Sequence, residues 1–293
     1  MASTAIVRII STTLRTFSKR IAAALFLLTV LLTAVFTGCG KKDVDGLTVV
    51  FPKLGAADCA ILMETSCTVV IDTGESGDGA AILDVLEAYG RESIDLLVIS
   101  HYDKDHVGGA AELLASMPVE RVIGSAYPKD SEEYDAYQQA LADAGLTEEL
   151  LSSPETFCVS DDLILTVCPP EQGIYSDHMS NNASVAVAAR YGDTRMLFTG
   201  DAMEERTEEL LTEFSGTFDL IKLPHHGRDK STAQALSDAF GTEHTAYVAT
   251  SSKKEPENKH LEDAVSGPLY LTRKGNIIAI SDGTTVKITQ SEE

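Results

Sequence analysis

Positive charge is scarce in this sequence. The 293 residues contain 23 Lys and Arg against 45 Asp and Glu, which gives a formal net charge of −22. Such a field repels polyanions at long range, and this argues against a protein that tracks along nucleic acid. An anionic substrate at one locally basic cleft remains compatible with it, so nucleic acid is expected as a substrate only.

Cysteine is also sparse, and its spacing excludes the usual pattern of a structural zinc site. No two cysteines lie two to four residues apart. Cys59 and Cys168 lie in or beside apolar, strand-like runs, which favours buried free thiols. Disulfides are the alternative, because four cysteines remain when Cys39 is set aside. The cysteines are Cys39, Cys59, Cys67, Cys158 and Cys168.

The N-terminus lacks an apolar run long enough for a typical membrane span. Residues 21–36 are apolar, whereas a spanning helix needs roughly 20 such residues. Four basic residues and no acidic ones precede or flank this run, and Thr37-Gly38-Cys39 follows it. The order of a positive, an apolar and a small-residue segment predicts an export signal.

Thr37-Gly38-Cys39 resembles the bacterial lipoprotein box, in which the cysteine becomes the lipidated first residue. The resemblance implies a lipoprotein-type signal peptide at residues 1–38, lipidation at Cys39 and a linker at residues 39–46. An uncleaved signal anchor is the alternative. Either way, the domain at residues 47–293 is expected outside the cytoplasm, tied to the outer face of the cell membrane. Cleavage would leave 19 basic against 45 acidic residues, a net charge of −26.

The rest of the chain alternates short strand-like runs with helical patterns, without a repeat or an evident linker. Val- and Ile-rich runs at residues 47–52, 59–64 and 67–72 predict strands, and a continuous apolar run at residues 94–100 predicts a strand buried on both faces. The polar amphipathic stretch at residues 131–151 indicates a helical insertion or lid. Polar clusters repeatedly follow strands, which favours a layered α/β/β/α fold with these clusters at one rim.

The densest polar cluster follows the strand at residues 94–100. His101, Asp103, Asp105 and His106 place two imidazoles and two carboxylates within six positions. Alternation along an extended segment would point the first three in one direction, and a turn into a helix would return His106 towards them. The alternative is a local structural role, in which Asp105 caps the helix.

Three further clusters also follow or precede predicted strands. Asp201 ends one strand, the pair His225 and His226 ends another, and Asn182 precedes a hairpin. Neutral imidazole is a common metal ligand, and the Asn182 amide could bind substrate oxygens. Turn or capping roles are the alternatives for Asp201 and Asn182.

In this order and at these spacings, "SHYDKDHVGG", "TGD" and "PHHG" resemble the metallo-β-lactamase fold superfamily. With "NNAS", the likeness is more narrowly to the hydrolase domain of ComEC-type competence proteins, over about residues 47–288. The resemblance implies a four-layer αββα sandwich and one or two divalent metal ions, zinc or manganese. It places the metal ligands at His101, Asp103, Asp105, His106, Asp201 and His225.

In the two-metal arrangement that the resemblance implies, Asp201 bridges the ions. His101 and Asp103 then hold the weaker site, since the usual further histidine has no clear match, and Asp105, His106 and His225 hold the other site. His225 is preferred over His226 as the ligand. His226 is assigned to substrate binding or proton transfer.

Other carboxylates and amides take supporting roles in this interpretation. Asp105 could also act as a base, and Asn182 could contact substrate. Asp58 and Asp72 are candidates for orienting the ligating histidines, with ordinary strand-end roles as the alternative. Because Asp103 replaces a histidine, the site should shift from zinc towards manganese without excluding zinc.

The sequence therefore predicts a membrane-anchored, extracytoplasmic, metal-dependent hydrolase that acts on a small-molecule or polymer phosphodiester. The alternatives are an ester, lactone or amide hydrolase and a non-catalytic, metal-stabilised binding lipoprotein of the envelope. Lysines and an arginine near the histidine motifs could form a basic rim, although solvated surface residues are the other explanation. They are Lys222, Arg228, Lys230, Lys253, Lys254 and Lys259.

Overall fold

The computed structural model describes residues 42, 44, 46–171 and 173–291. The predicted signal peptide at residues 1–38, its Cys39 and part of the linker at residues 39–46 lie outside the described residues. Among the residues that are described, no helix has both the length and the apolar character needed to cross a membrane.

The described chain alternates strands and helices throughout. Its strands are β1 (Leu47–Phe51), β2 (Ala60–Met63), β3 (Thr68–Ile71), β4 (Leu96–Val98), β5 (Val122–Gly124), β6 (Glu149–Leu150), β7 (Glu155–Cys158), β8 (Leu163–Cys168), β9 (Ala186–Tyr191), β10 (Thr194–Phe198), β11 (Leu220–Lys222), β12 (Ala246–Ala249), β13 (Leu269–Leu271), β14 (Ile277–Ser281) and β15 (Val286–Gln290). Its α-helices are α1 (Gly79–Ala88), α2 (Lys104–Val107), α3 (Ala110–Ser116), α4 (Glu132–Ala144), α5 (Met179–Asn182), α6 (Glu204–Glu213) and α7 (Lys230–Phe240), and its 3₁₀ helices are Pro224–Gly227, Leu261–Ala264 and Thr272–Lys274.

The strands form two sheets. The first has the order β15-β14-β1-β2-β3-β4-β5-β6, and the second has the order β13-β12-β11-β10-β9-β8-β7. Strands β3 to β6 are parallel to one another, as are strands β10 to β13. Parallel strands bring their carboxyl ends to one edge, so residues that follow them are gathered together.

The cores follow from side-chain alternation along the strands. Val49 packs between the two sheets, whereas its neighbour Val50 packs in the cluster on the outer face of the first sheet. Phe51 and Phe198, from opposite sheets, stack with ring centroids 6.1 Å apart. Burying a large apolar side chain stabilises a fold by about 1.5–3 kcal/mol, so this inter-sheet layer fixes the two sheets against each other.

Helices cover both outer faces. Ile82 of α1 and Leu113 of α3 join the core cluster of the first sheet. Ala233 and Leu236 of α7 join the cluster on the second sheet. The four-layer αββα sandwich predicted from the sequence is therefore confirmed.

The structure decides the role of the predicted insertion at residues 131–151 and adds a helix, α7, that the sequence interpretation did not include. The segment predicted as a helical insertion or lid contains α4, whose Tyr134 and Tyr137 pack on Tyr102, with Tyr102 and Tyr134 ring centroids 4.5 Å apart. It is thus part of the outer helical layer. Helix α7 was not predicted, although Asp229 caps it by accepting a hydrogen bond from the Thr232 N–H at 2.8 Å.

The cysteines in the described part of the chain are free thiols. Cys59, Cys67 and Cys168 are buried, and Cys158 is exposed. Burial raises the pKa of the Cys67 and Cys168 thiols to about 12. These two groups therefore pack as small apolar side chains.

Candidate metal centre

The polar clusters meet where strands of both sheets end. Asp72 follows β3, His101 follows β4, Asp201 follows β10, His226 follows β11 and Thr250 follows β12. The antiparallel strands β2 and β9 begin at the same rim, so the loops before them also reach it. Seven strand ends or starts thus supply one site.

Three histidines of this site share an unusual arrangement. His101, His106 and His226 are buried, and the Nε2 atom of each has no hydrogen-bond partner among the described residues. The buried Asp201 Oδ1 atom likewise has no hydrogen-bond partner among the described residues. Buried polar atoms are normally satisfied, so four unsatisfied ligand atoms in one place fit a divalent cation.

The opposite ring nitrogen of His106 is held by a carboxylate. Its Nδ1 lies 2.8 Å from the Asp72 Oδ2 atom. Because a carboxylate accepts hydrogen bonds, the Nδ1 carries the proton and the Nε2 lone pair faces the cluster. A carboxylate behind a histidine is the common way to orient a metal ligand. The predicted orienting position of Asp72 agrees with this geometry.

His226 is held through a longer chain of hydrogen bonds. Its Nδ1 donates to the Thr250 Oγ1 atom at 3.0 Å, and the Thr250 hydroxyl donates to Asp58. The Asp58 Oδ1 atom also lies 3.3 Å from the His226 Nδ1. Asp58 therefore sits behind His226, as Asp72 sits behind His106.

His101 uses hydroxyl groups for the same purpose. Its Nδ1 lies 3.1 Å from the Ser100 Oγ and 3.4 Å from the Ser184 Oγ. Ser100 in turn donates to the Asp72 Oδ2 at 2.7 Å. All three imidazoles thus present Nε2 to the same space.

Two carboxylates complete the cluster. The Asp201 Oδ1 lies 3.3 Å from the His106 Nε2, and its Oδ2 lies 3.5 Å from the His226 Nε2. The Asp105 Oδ2 lies 3.2 Å from the His226 Nε2. The ligand atoms of His101, His106 and Asp201 all lie within 4.8 Å of one another, as do those of Asp105, His106 and His226.

Negative charge dominates the electrostatics of the cluster. Burial by itself would lower the pKa of His106, but the Asp201, Asp72 and Asp58 carboxylates outweigh it and raise that pKa well above its usual value. Burial would likewise raise the pKa of Asp201, but His106 and other neighbours hold it well below its usual range. A field that favours a proton on imidazole equally favours a metal cation in its place.

Lys222 is a buried partner of these carboxylates. Its Nζ atom bonds Asp58 and the Gly200 carbonyl, and it lies 3.8 Å from the Asp201 Oδ1. Burial would lower the pKa of Lys222, yet Asp58 and Asp201 raise it. Lys222 therefore belongs to the interior of the site, and the prediction that it contributes to a surface rim is corrected.

The backbone around the histidine pair is strained. His225 has a φ of 47° and His226 a φ of 58°, both in the left-handed region. Non-glycine residues in such conformations cost about 1–3 kcal/mol each and are held by their surroundings. The turn directs the His226 ring into the cluster.

The geometry reverses the choice made between the two histidines. His226 is fully buried and its Nε2 faces Asp105 and Asp201, whereas His225 is only partly buried and belongs to no candidate ligand group among the described residues. The side chains of two adjacent residues in left-handed conformations point in different directions. The sequence does not reveal which of the two histidine rings enters the site. His226 is thus the better ligand candidate.

Asp103 lies at the mouth of the site. It bonds the Lys129 Nζ and the Ser180 hydroxyl, and its Oδ1 is 3.9 Å from the His101 Nε2. It belongs to no candidate ligand group in the described part of the chain. The argument for manganese from Asp103 loses its geometric support, because the carboxylate is shared with an ammonium group.

Asn182 has a structural position rather than the predicted catalytic one. Its Oδ1 accepts the N–H groups of Met203 and Arg206 at 3.0 and 3.2 Å, and its Nδ2 donates to the Asp177 carbonyl at 2.9 Å. The amide therefore fixes the start of α6. Both the oxygen and the nitrogen of the amide thus form hydrogen bonds with backbone groups.

Several residues of the site were missed from the sequence. Ser100, Ser184 and Thr250 hold the histidine rings, and Lys129 reaches Asp103. Their place in the sequence could have identified the three hydroxyl residues, since each lies next to a strand that ends or begins at the rim. His178, upstream of "NNAS", has a half-exposed side chain, and its Nε2 lies 3.6 Å from the Asp177 Oδ2.

Comparison with known proteins gives the family. The model of the Metallo-beta-lactamase superfamily matches residues 54–251, more than half of this chain. The chain belongs to the metallo-β-lactamase superfamily. The YhfI metallo-beta-lactamase fold protein from Bacillus subtilis superposes with a TM-score of 0.53 at 13% identity, covering 84% of this chain and 100% of that one. The protein is accordingly a metal-dependent hydrolase of this superfamily.

Two curated relatives resemble part of the chain. Recombination protein 2 of Haemophilus influenzae is 27% identical over 190 residues, covering 62% of this chain and 22% of that protein. ComE operon protein 3 of Bacillus subtilis is 28% identical over 181 residues, covering 61% and 23%. The likeness to ComEC-type competence proteins is thus supported, and the match spans under a quarter of either relative.

The histidine pair provides the first prediction. His226→Ala should weaken Mn²⁺ and Zn²⁺ affinity by more than the roughly 10–100-fold that loss of an outer partner costs, because it removes a ligand atom. His225→Ala should leave the affinity nearly unchanged. Equilibrium dialysis of the full-length chain in detergent, with elemental analysis, measures both. Metal loss from the His225 variant alone would reverse the assignment.

A second prediction concerns Asn182. Asn182→Ala should reduce the free energy of unfolding by about 1–3 kcal/mol, because the buried Arg206 N–H and the partly buried Met203 N–H lose their acceptor. Metal affinity of the folded variant should not change. Urea denaturation measures the effect, with Asn181→Ala as the neighbouring amide control. A stable variant that loses turnover would instead return Asn182 to a catalytic role.

Proposed function

We propose that the protein is a metal-dependent phosphodiesterase anchored on the outer face of the cell membrane. The observation that carries the catalytic part is the set of buried, unsatisfied ligand atoms on His101, His106, His226 and Asp201. These atoms face one space at the rim of a hydrolase fold.

The proposed ligands follow from this set. Together with Asp105 beside His226, the residues His106, His226 and Asp201 would hold one ion, and His101 would offer a ligand for an adjacent ion. A bound divalent ion supplies Lewis-acid charge for a developing negative oxygen and eases the deprotonation of water. Three imidazoles and two carboxylates suit either zinc or manganese.

The chain's own residues have distinct tasks in hydrolysis. Asp72 and the Thr250–Asp58 pair fix the imidazole rings. Asp105, whose side chain is 20% exposed, is reachable from solvent and is placed to take a proton from the attacking water. Lys129 stands at the mouth, where its ammonium group can bind a non-bridging phosphate oxygen.

Two further facts support a phosphodiester as the substrate. The Asp201 carboxylate presents Oδ1 towards His106 and Oδ2 towards His226, so it has an oxygen for each of two ions. Paired metal sites suit displacement at phosphorus, where attacking and leaving oxygens are both stabilised. One relative is named a recombination protein, and recombination acts on nucleic acid, a phosphodiester polymer.

Hydrolysis of bis(p-nitrophenyl) phosphate tests the catalytic proposal. The full-length chain is stripped with a chelator and titrated separately with Mn²⁺ and Zn²⁺. Turnover should disappear on stripping and return with metal. Asp105→Ala should lower kcat by about 10²–10⁴-fold, because it removes a metal ligand and base.

Asp84→Ala is the matched control, because Asp84 is an exposed aspartate on α1. It should retain full turnover. Tight metal binding without phosphodiester hydrolysis would contradict the proposal. Hydrolysis of esters or lactones would then indicate the other enzyme class, and a metal-dependent melting temperature without any turnover would indicate a binding role.

The proposed location at the membrane depends on the order of the basic, apolar and small-residue segments before residue 40. If Cys39 is lipidated, Cys39→Ala should abolish incorporation of labelled palmitate, whereas Cys158→Ala should not, because Cys158 lies on a strand of the hydrolase domain. Protease treatment of intact spheroplasts should digest the domain. Palmitate label that persists in the Cys39 variant would contradict the lipid anchor.

A further inference from the structure

A broad groove of about 690 Å³ lies next to the metal centre. Its charge is opposite to that of the chain as a whole, because five basic side chains line it against two acidic ones. The chain contains 23 basic against 45 acidic residues. The basic side chains of the groove are Lys53, Lys104, Lys253, Lys254 and Arg273.

The two acidic residues of the groove are already paired with cations. Glu75 lies 3.7 Å from the Lys104 Nζ, and Glu255 lies 2.5 Å from an Nη atom of Arg228. Among the described residues, Lys253 and Lys254 make no ion pair, and both are exposed. Arg273 pairs with Glu257, with its Nη2 atom 2.8 Å from the Oε1 atom. The positive charge that the groove keeps is therefore that of Lys253 and Lys254.

Two residues that line the groove are chain neighbours of residues at the metal centre. Lys104 stands between Asp103 and Asp105, and Ser251 directly follows Thr250, which holds His226. Consecutive Cα atoms are about 3.8 Å apart, so the backbone of the groove lies one residue from Asp103, Asp105 and Thr250.

The chemistry of the walls favours a phosphate group. Lysine ammonium groups are compact point charges that bind phosphate without demanding one geometry. Among the residues that the structure describes, no aromatic side chain lines the groove, so they give it no ring platform on which nucleic-acid bases stack. The volume is within the roughly 300–1,000 Å³ of small-molecule sites.

We propose that this groove is a second phosphate subsite, which holds the phosphate adjacent to the phosphodiester bond cleaved at the metal centre. The inference rests on the proposed phosphodiesterase function and extends it. It makes the protein selective for substrates that carry two or more phosphates in series.

A matched pair of substrates tests the subsite. Thymidine 5′-(p-nitrophenyl phosphate) and its 3′-phosphorylated form share the leaving group and differ by one phosphate. The metal-loaded, full-length chain should show kcat/KM about tenfold higher for the 3′-phosphorylated form, equivalent to about 1.4 kcal/mol. The preference should decline with added salt, because exposed charges are screened.

Substitution of the groove lysines tests whether the substrate preference arises in the groove. Lys253→Ala/Lys254→Ala should reduce the preference to about twofold or less, as expected when two charge-assisted contacts are lost. Lys259→Ala/Lys287→Ala removes two exposed lysines that do not line the groove, so the total charge changes equally. This control should keep the tenfold preference.

A binding measurement separates this inference from the phosphodiesterase proposal. Calorimetry compares thymidine 3′,5′-bisphosphate with thymidine 5′-phosphate on the same protein. Equal hydrolysis of both substrates with equal binding of both nucleotides would overturn the subsite and leave the phosphodiesterase standing. If neither substrate is hydrolysed, tighter, lysine-dependent binding of the bisphosphate would support the subsite alone, and equal binding would overturn both.

Discussion

The structure depends on an excess of negative charge buried where its two sheets meet. The carboxylates of Asp58, Asp72 and Asp201 are all nearly inaccessible to solvent, and Lys222 is the buried ammonium group beside them. Isolated buried charges are costly, so such a cluster persists only with further positive charge or protons. A divalent cation supplies that charge and satisfies the imidazole nitrogens at the same time.

This requirement explains how the surroundings of the cluster are built. Each ligand imidazole has its rear nitrogen fixed by Asp72, by Thr250 or by serine hydroxyls, so that its front nitrogen has one direction. The strained turn at His225 and His226 is held because the apolar core between the sheets fixes β11 beside β10 and β12. Rigid strands thus sustain a costly local conformation.

Charge is also organised over a longer distance. Five of the 23 basic side chains of this acidic molecule line the groove beside the metal centre, and Lys253 and Lys254 among them would attract an anion locally. This distribution makes an acidic protein compatible with the proposed anionic substrate. It also explains why overall charge is a poor guide to substrate, because the local field near a cleft decides binding.

Much of the fold and the cluster follows from local sequence. Strand-like apolar runs that each end in a polar group determined the layered fold, because alternation and parallel pairing bring such ends to one rim. The motif at residues 101–106 and Asp201 gave most of the candidate ligands through their resemblance to the metallo-β-lactamase motifs, since the residues alone also allowed turn and capping roles.

The tertiary structure decided the rest. It selected His226 over His225, engaged Asp103 with Lys129, turned Asn182 into a cap and buried Lys222 beside Asp58. It also brought residues 53, 104 and 253 together in one groove. These outcomes depend on side-chain direction and on contacts between residues far apart in the chain, and neither is encoded in the local pattern of residue types.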